Sequence, residues 1–265
     1  MSGDDAAGEG AANGERRGSD DAPRVAVFRP DDERIDEAAA LLESLGVDPV
    51  ADPMLAVEPT GAVPAAAPYV VLTSKTGVEL AADADWDPSG ATVCAIGEST
   101  AAALRESGYH VGIVPEEFSS AGLVDRLSGE VAGARVEVAR SDHGSAVLTD
   151  GLDEAGAYVH ETVLYRLVRP TGSGESVELA AAGELDAALF TSSLTVRHFL
   201  AAADDRGVRE AAIDGLAEAT VGAIGEPTKE TAAENGIEVD VVPDQADFEV
   251  LACEVVEAAA PTHRE

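Results

Sequence analysis

The chain has 265 residues, 51 Asp and Glu against 17 Lys and Arg, and a formal net charge of −34. That length allows one or two domains, and that charge excludes nucleic acid as a partner, because phosphate binding needs a basic surface. Hydrophobic residues, 45% of the chain, suffice for sizeable cores, but with aromatics at 4% these must be mostly Ala, Val, Leu and Ile.

Residues 1–23 are rich in Gly, Ala and Asp without periodicity, which predicts a disordered leader. RVAVF at 24–28 is a short apolar run suited to a buried parallel strand. Ile35, Ala38, Ala39, Leu42 and Leu45 follow at helical spacing, and Gly46 stops the helix. The next extended segment carries Pro49, Pro53 and Pro59, so it belongs at an edge or in a crossing. A Pro/Ala-rich link over 59–68 leads to YVVLTS, another buried strand, and then to a helix over Lys75 to Ala82. A loop at 83–91 holds the single Trp, Trp86. Beyond it the spacing predicts a strand at 92–96, a helix at 98–107, a strand at 110–114 and a helix at 119–129. RVEVAR at 135–140 opens a further strand, a helix with Leu148 and Leu152 ends at Gly156, and AYVHETVLYRLVRP is a long β-rich run. Gly172, Ser173 and Gly174 read as a flexible turn, ALFTSS as a strand, and PTHRE as a frayed tail.

The chain repeats itself. AIGEST at 95–100 is echoed by AIGEPT at 223–228, and Ile96/Ile224 and Pro115/Pro243 share one offset (224 − 96 = 243 − 115 = 128). RVAVFR at 24–29 is echoed by RVEVAR (135 − 24 = 111), and YVVLTS by ALFTSS. Strands alternating with helices of about ten residues predict βαβ units and parallel sheets. The expected architecture is two similar parallel-sheet, flavodoxin-like α/β domains joined by extended crossings near 50–60 and 158–170. The N-terminal β-α unit would pack with the C-terminal half. Domain 1 would be discontinuous, 24–56 plus 168–260, and domain 2 would span 60–164.

The candidate chemistry lies at strand ends that open helices, where ligands of open α/β sheets gather. Gly97-Glu98-Ser99-Thr100 superficially resembles a nucleophile elbow. Its echo has Pro227 in place of Ser99, so Gly97/Gly225 and Thr100/Thr228 are what the copies share. That pattern suits a helix N-terminus holding an anion on free amides as well as a plain helix cap. Thr73, Ser74 and Lys75 pair with Thr191, Ser192 and Ser193 in the same way; each set is either a ligand site or an ordinary N-cap. Basic residues are scarce enough to single out. Arg29 and Arg140 end equivalent strands, and Lys75, Arg197 and Lys229 lie at helix starts. Clustered on one cleft they would favour an anionic ligand; scattered, they are surface ion pairs.

The five histidines show no metal-ligand spacing, and neither a P-loop nor a GxGxxG follows a strand, so no metal and no nucleotide is expected. Cys94 and Cys253 read as two buried small hydrophobes. Acidic residues are spread along the chain and Lys75 and Lys229 are its only lysines, which favours a surface adapted to a salt-loaded cytoplasm over an acidic tail or a calcium-binding protein. No apolar run reaches the ~18 residues of a membrane span, so a soluble cytoplasmic protein is expected.

RVAVFRP, YVVLTSKTGV, AIGESTAAALRESGYHVGIVPEEFSSAGL, ETVLYRLV, ALFTSSLTVRHF and AIGEPTKETAAENGIEVDVVP resemble the uroporphyrinogen-III synthase family in their order along residues 24–258. The resemblance implies two α/β domains on a two-stranded connector. It also implies cofactor-free cyclisation of hydroxymethylbilane, the product of an upstream hydroxymethylbilane synthase, with inversion of ring D through a spiro-pyrrolenine and loss of water. By the same resemblance Tyr165, in VLYRL, matches the connector Tyr thought to help the hydroxyl depart. Thr228, Ser192 and Thr100 match substrate-binding positions, while Pro227 departs from the family's usual polar residue. A different class remains open: a non-catalytic two-domain protein that closes on a small anion, as a binding or regulatory module.

Overall fold

Four of the five residues of RVAVF are buried on both sides of the strand. Such a segment forms only where helices cover both faces of a parallel sheet. The computed structural model describes residues 22–260, so most of the expected leader, the tail and His263 lie outside it. The chain runs β1 (Arg24–Phe28), α1 (Glu33–Ser44), β2 (Asp48–Ala51), β3 (Ala56–Pro59), β4 (Tyr69–Leu72), α2 (Lys75–Asp83), β5 (Thr92–Ala95) and α3 (Glu98–Glu106). It continues with α4 (Ser120–Leu127), β6 (Arg135–Ser141), α5 (Ala146–Glu154), β7 (Tyr158–Val168), α6 (Glu175–Ala181), β8 (Ala187–Phe190) and α7 (Ser193–Arg206). The last elements are α8 (Arg209–Ala217), β9 (Thr220–Ala223), α9 (Glu226–Glu234) and α10 (Phe248–Ala259).

Two sheets result: four strands in the order β2-β1-β8-β9 and five in the order β3-β7-β6-β4-β5. All pairs are parallel except β3 with β7. This is the α/β architecture of two parallel-dominated sheets that the alternation of strands and helices predicts. The four-strand sheet joins both ends of the chain, since Val25 pairs with Ala187. Strand β7 serves two partners: Tyr158 to Val163 run parallel to β6, and Tyr165 to Val168 run antiparallel to β3.

Each sheet has a core on either face. Phe28, Met54, Phe190 and Phe199 lie on one side of the four-strand sheet, and Val27, Leu42, Leu189 and Leu251 on the other. In the five-strand sheet the two cores contain Leu72, Leu104, Leu164 and Tyr165, and Val71, Leu123, Val138 and Leu152. Fully burying one such side chain stabilises the fold by about 1.5–3 kcal/mol.

The strand expected at 110–114 does not form; only Ile113 makes a single bridge, to Cys94. The chain runs parallel beside β5 for that one bridge only, Gly112 N donating to Val93 O and Ala95 N to Ile113 O, both at 2.9 Å. The repeat behaves alike, Val241 bridging Gly222 alone. Cys253 is exposed, not buried, because α10 turns Leu251, Ala252 and Val255 inward instead. The Gly172–Gly174 turn is shaped by glycine: φ is +93° and +108° at its two ends, in the region other residues rarely adopt.

Candidate functional site

The repeated strand-to-helix turns become helix caps. Ser74 caps α2, its Oγ accepting from Gly77 N at 3.0 Å. Ser192 caps α7 in a reciprocal box: its Oγ accepts from Thr195 N at 3.2 Å, and its own N–H donates to Thr195 Oγ1 at 3.2 Å. Thr73 is half-buried at the end of β4. Ser193 is committed to packing between helices, since its hydroxyl donates to Pro227 O at 2.9 Å and accepts from Thr231 Oγ1 at 2.8 Å.

The two glycine turns look alike but offer different surfaces. Gly97 and Gly225 are the N-caps of α3 and α9, both in extended backbone that any residue can adopt. At Gly97 a side chain would be tight: a Cβ would lie 3.1 Å from that of Phe118. At Gly225 the nearest atom would be 4.0 Å away. Thr100 and Thr228 are both buried, at 2% and 4% exposure, at the third residue of their helices. In α3 the Gly97 carbonyl accepts from Ala101 N, and the amides of 98–100 lie at the helix's free end. In α9 the amides of Thr228 and Lys229 both turn back to Gly225 O, and Pro227 has no N–H at all. The α3 turn therefore leaves more backbone amides free than the α9 turn does.

Tyr165 lies on β7 opposite Pro59 and is 6% exposed. Its hydroxyl donates to Ser74 Oγ at 2.9 Å, so a hydrogen-bond chain runs from the Tyr165 phenol through Ser74 to the first turn of α2. The next residue, Lys75, opens onto a cleft of about 530 Å³. Asp32, Glu33 and Arg34 from the start of α1 form one wall of this cleft, and Lys75, Thr76 and Glu79 from the start of α2 form the other. Arg34 grips Asp32 through Nε at 2.9 Å and Nη2 at 2.5 Å, and this contact holds the Asp32 carboxyl below its ordinary range. With Arg34 and Asp32 cancelling, Lys75 faces Glu33 and Glu79. Sequence reasoning missed the α1 wall. Its signal was the charged run Asp31-Asp32-Glu33-Arg34 directly after a strand end, which reads equally well as a solvated helix start.

The structure separates the two equivalent arginines. Arg140 is 7% exposed; Nη1 donates to Ser145 O at 2.6 Å and Nη2 bonds the Glu161 carboxylate. The turn at 141–145 folds over it so tightly that a Cβ on Gly144 would overlap Arg140 Cδ. The expectation that Arg140 meets a ligand is thus corrected: it is an internal strut. Arg29 is half-buried with its guanidinium 4.4 Å from the centroid of the Phe248 ring. Burial, then the nearby Arg34 charge, lowers its pKa from the ordinary arginine value.

His198 and Cys94 are tied into the fold. His198 donates to the Met54 carbonyl. Burial pushes the Cys94 thiol up to about 12, which leaves it unreactive. Among the described residues no group of three or more His, Cys, Asp or Glu side chains could hold a metal ion, and no helix is long and apolar enough to cross a membrane.

Comparison with known proteins bears on this arrangement. The sequence model described as "Uroporphyrinogen-III synthase HemD" matches residues 36–253. A protein of Methanothermobacter thermautotrophicus, provisionally named a uroporphyrinogen-III synthase, is 37% identical over 149 residues, 55% of this chain and 58% of its own. One of Archaeoglobus fulgidus with the same provisional name is 30% identical over 159 residues, 59% of this chain and 66% of its own. The chain thus spans about three fifths of the length of these relatives. The crystal structure of a mutant uroporphyrinogen III synthase from the extremely thermophilic bacterium Thermus thermophilus shares the fold, with a TM-score of 0.62 at 21% identity, covering 90% of this chain and 98% of that one. The family match extends over most of the chain, from the first turn of α1 into α10, and the chain therefore belongs to the uroporphyrinogen-III synthase family.

Proposed function

We propose that the chain is a uroporphyrinogen-III synthase, a lyase that cyclises hydroxymethylbilane to uroporphyrinogen III in tetrapyrrole biosynthesis. Beyond family membership, the observation that carries this reading is the cleft between the starts of α1 and α2, with the Tyr165–Ser74 hydrogen bond beside Lys75 on its α2 wall. The substrate loses its hydroxyl as water, leaving an azafulvene cation. The substituted carbon of ring D attacks that cation and forms a spiro-pyrrolenine. Fragmentation and reclosure then join ring D the other way round.

Little machinery is needed for such a reaction. The bilane must be held in one folded conformation and a cationic intermediate stabilised, which is work for positioning and fixed dipoles. Tyr165 supplies the one hydroxyl we assign a chemical role, donating to the departing oxygen. To do so it must release Ser74 Oγ, at a cost of about 1 kcal/mol for one neutral hydrogen bond. We assign the substrate carboxylates to Lys75, which lines the cleft, and to the helix starts that carry Ser74, Gly97, Thr100, Ser192, Gly225 and Thr228, where backbone amides rather than the buried Thr100 and Thr228 side chains would meet them. The surplus of Glu33 and Glu79 over Lys75 suits the cation better than it suits the carboxylates. Screening offsets the repulsion: at molar salt the Debye length is about 3 Å, consistent with an enzyme of a salt-loaded cytoplasm fed by an upstream hydroxymethylbilane synthase.

The test is an isomer assay. Purified protein in molar potassium chloride receives hydroxymethylbilane, and the oxidised products are separated. The type III isomer is expected to dominate. Type I alone, the product of unassisted closure, overturns the proposal and leaves a non-catalytic anion-binding role.

A further inference from the structure

The two sheets repeat one β-α-β unit, and register fixes which residues correspond. Val27 and Val138 match at the common offset (138 − 27 = 111), as do Arg29 and Arg140 (140 − 29 = 111). Val138 pairs across the ladder with Glu161, and Glu161 is the residue that neutralises Arg140. Val27 pairs with Ala51. Alanine therefore stands in one copy where the other has its carboxylate. Arg29 accordingly has no salt bridge among the described residues, although the chain carries three acids for every base (51/17).

Nor is Arg29 simply solvated. Its Nε is buried without a hydrogen-bond partner, as is that of Arg140, but Arg140 meets Ser145 O and Glu161 through its two Nη atoms and Arg29 has no such carboxylate. Its guanidinium carbon lies 4.4 Å from the centroid of the ring of Phe248, the first residue of α10, a contact that holds the cation over the ring without using its Nη donors. It follows β1 just before the α1 wall: Asp32 and Arg34, three and five residues on, line the cleft, although Arg29 itself is not part of that lining. A preoriented, partly desolvated cation with an unmatched donor is what binds a carboxylate well, because the partner restores the interactions that burial removed.

We propose that Arg29, seated on Phe248, is the anion anchor of the α1 wall and takes one ligand carboxylate in the place that Glu161 fills for Arg140. The identity of that ligand as a polycarboxylate rests on the synthase reading; the anchor itself rests on the paired registers.

Affinity is measured by titrating the protein in molar salt with uroporphyrin I, a stable octacarboxylate, alongside KM and kcat for hydroxymethylbilane. Arg29→Gln is expected to raise Kd and KM about tenfold or more, the range of a lost charge-assisted hydrogen bond, with kcat changed less than about twofold. Ala51→Glu supplies the missing carboxylate and is expected to reproduce that loss in a folded protein. Ala51→Gln, of the same shape without charge, should bind like the wild type. Wild-type Kd and KM in Ala51→Glu overturn the anchor, whatever Arg29→Gln does. If the wild type binds uroporphyrin I but yields only type I product, the synthase reading fails and the anchor is still decided by Kd. If type III forms and both variants keep the wild-type KM, the anchor fails and the synthase reading stands.

Discussion

The same position in the two sheets is filled in two ways. In the four-strand domain Phe28, Phe190 and Phe199 interlock, with ring centroids 4.6, 5.4 and 5.7 Å apart. The repeat offsets place Ala139, Leu72 and Ala81 at the corresponding positions of the five-strand domain (28 + 111, 190 − 118 and 199 − 118). The space so released holds Leu164 and Tyr165, which join Leu72, Ala81 and Ala139 in one cluster. One domain closes its core with three apolar rings; the other closes it with a strand that carries a polar-tipped ring next to the cleft. The lesson is that a repeat can keep its backbone plan and move its chemistry by exchanging large residues for small ones.

The strongest way to break this comparison is Phe199→Ala, which should destabilise the four-strand domain by about 3–5 kcal/mol. Trp86 is the only Trp and packs in the five-strand core, so its fluorescence follows that domain alone. In denaturant the variant's circular dichroism should fall well before the Trp86 signal. If both signals move together, the two cores unfold as one unit and the distinction has no energetic meaning.

Next in size is the pair of arginines. Arg140→Gln should cost roughly 2–3 kcal/mol, less than a fully buried pair because Glu161 is partly exposed. Arg29→Gln should cost under about 1 kcal/mol, having no carboxylate to strand. Equal losses in urea titrations would remove the contrast between strut and anchor.

Tyr165→Phe sharpens the difference between the two fillings. The ring keeps its packing, so stability should drop by only about 1 kcal/mol for the bond to Ser74. The rate of type III formation should drop about tenfold or more, the range of a positioned proton donor. A variant with the wild-type rate takes Tyr165 out of the mechanism.

The smallest effect is a pH slope set by one histidine. Burial lowers the His198 pKa below 6.5, with the His143 and Arg169 charges adding to the shift. The unfolded chain then takes up the proton first as pH falls through 6.5, so stability is lost on acidification below that value and restored above it. Melting temperatures at about pH 7.5 and about pH 5.5 should fall further for the wild type than for His198→Gln; parallel falls would assign the acid sensitivity elsewhere.

Most of the architecture was readable because buried strands, caps and glycine stops are local signals. Helix α8 was not. Its sequence, REAAIDGLA, has no strong apolar stripe because it packs by close approach, with Gly215 so near α6 that a Cβ would overlap the Ala180 carbonyl oxygen. The site was legible only in part. The repeats pointed to Ser74, Gly97 and Thr100, but not to the bond between Tyr165 and Ser74, which joins residues 91 apart. They also made Arg29 and Arg140 look equivalent. What separates them is the residue across the ladder, Ala51 or Glu161, and that requires the register.

The pairing of β1 with β8 has a consequence for how the chain is made. Val25 meets Ala187 across 162 residues (187 − 25). At about 5–20 residues per second, the ribosome needs roughly 8–32 s to deliver that partner. All of β4 to β7 emerges in the interval, so the five-strand domain can be complete before the other begins. Throughout that delay β1, whose Val25 to Phe28 all end up buried, offers an unpaired apolar edge of the kind that recruits other chains. The cost of splitting one domain around another is thus met at birth, in dependence on synthesis speed and on whatever shields a nascent strand.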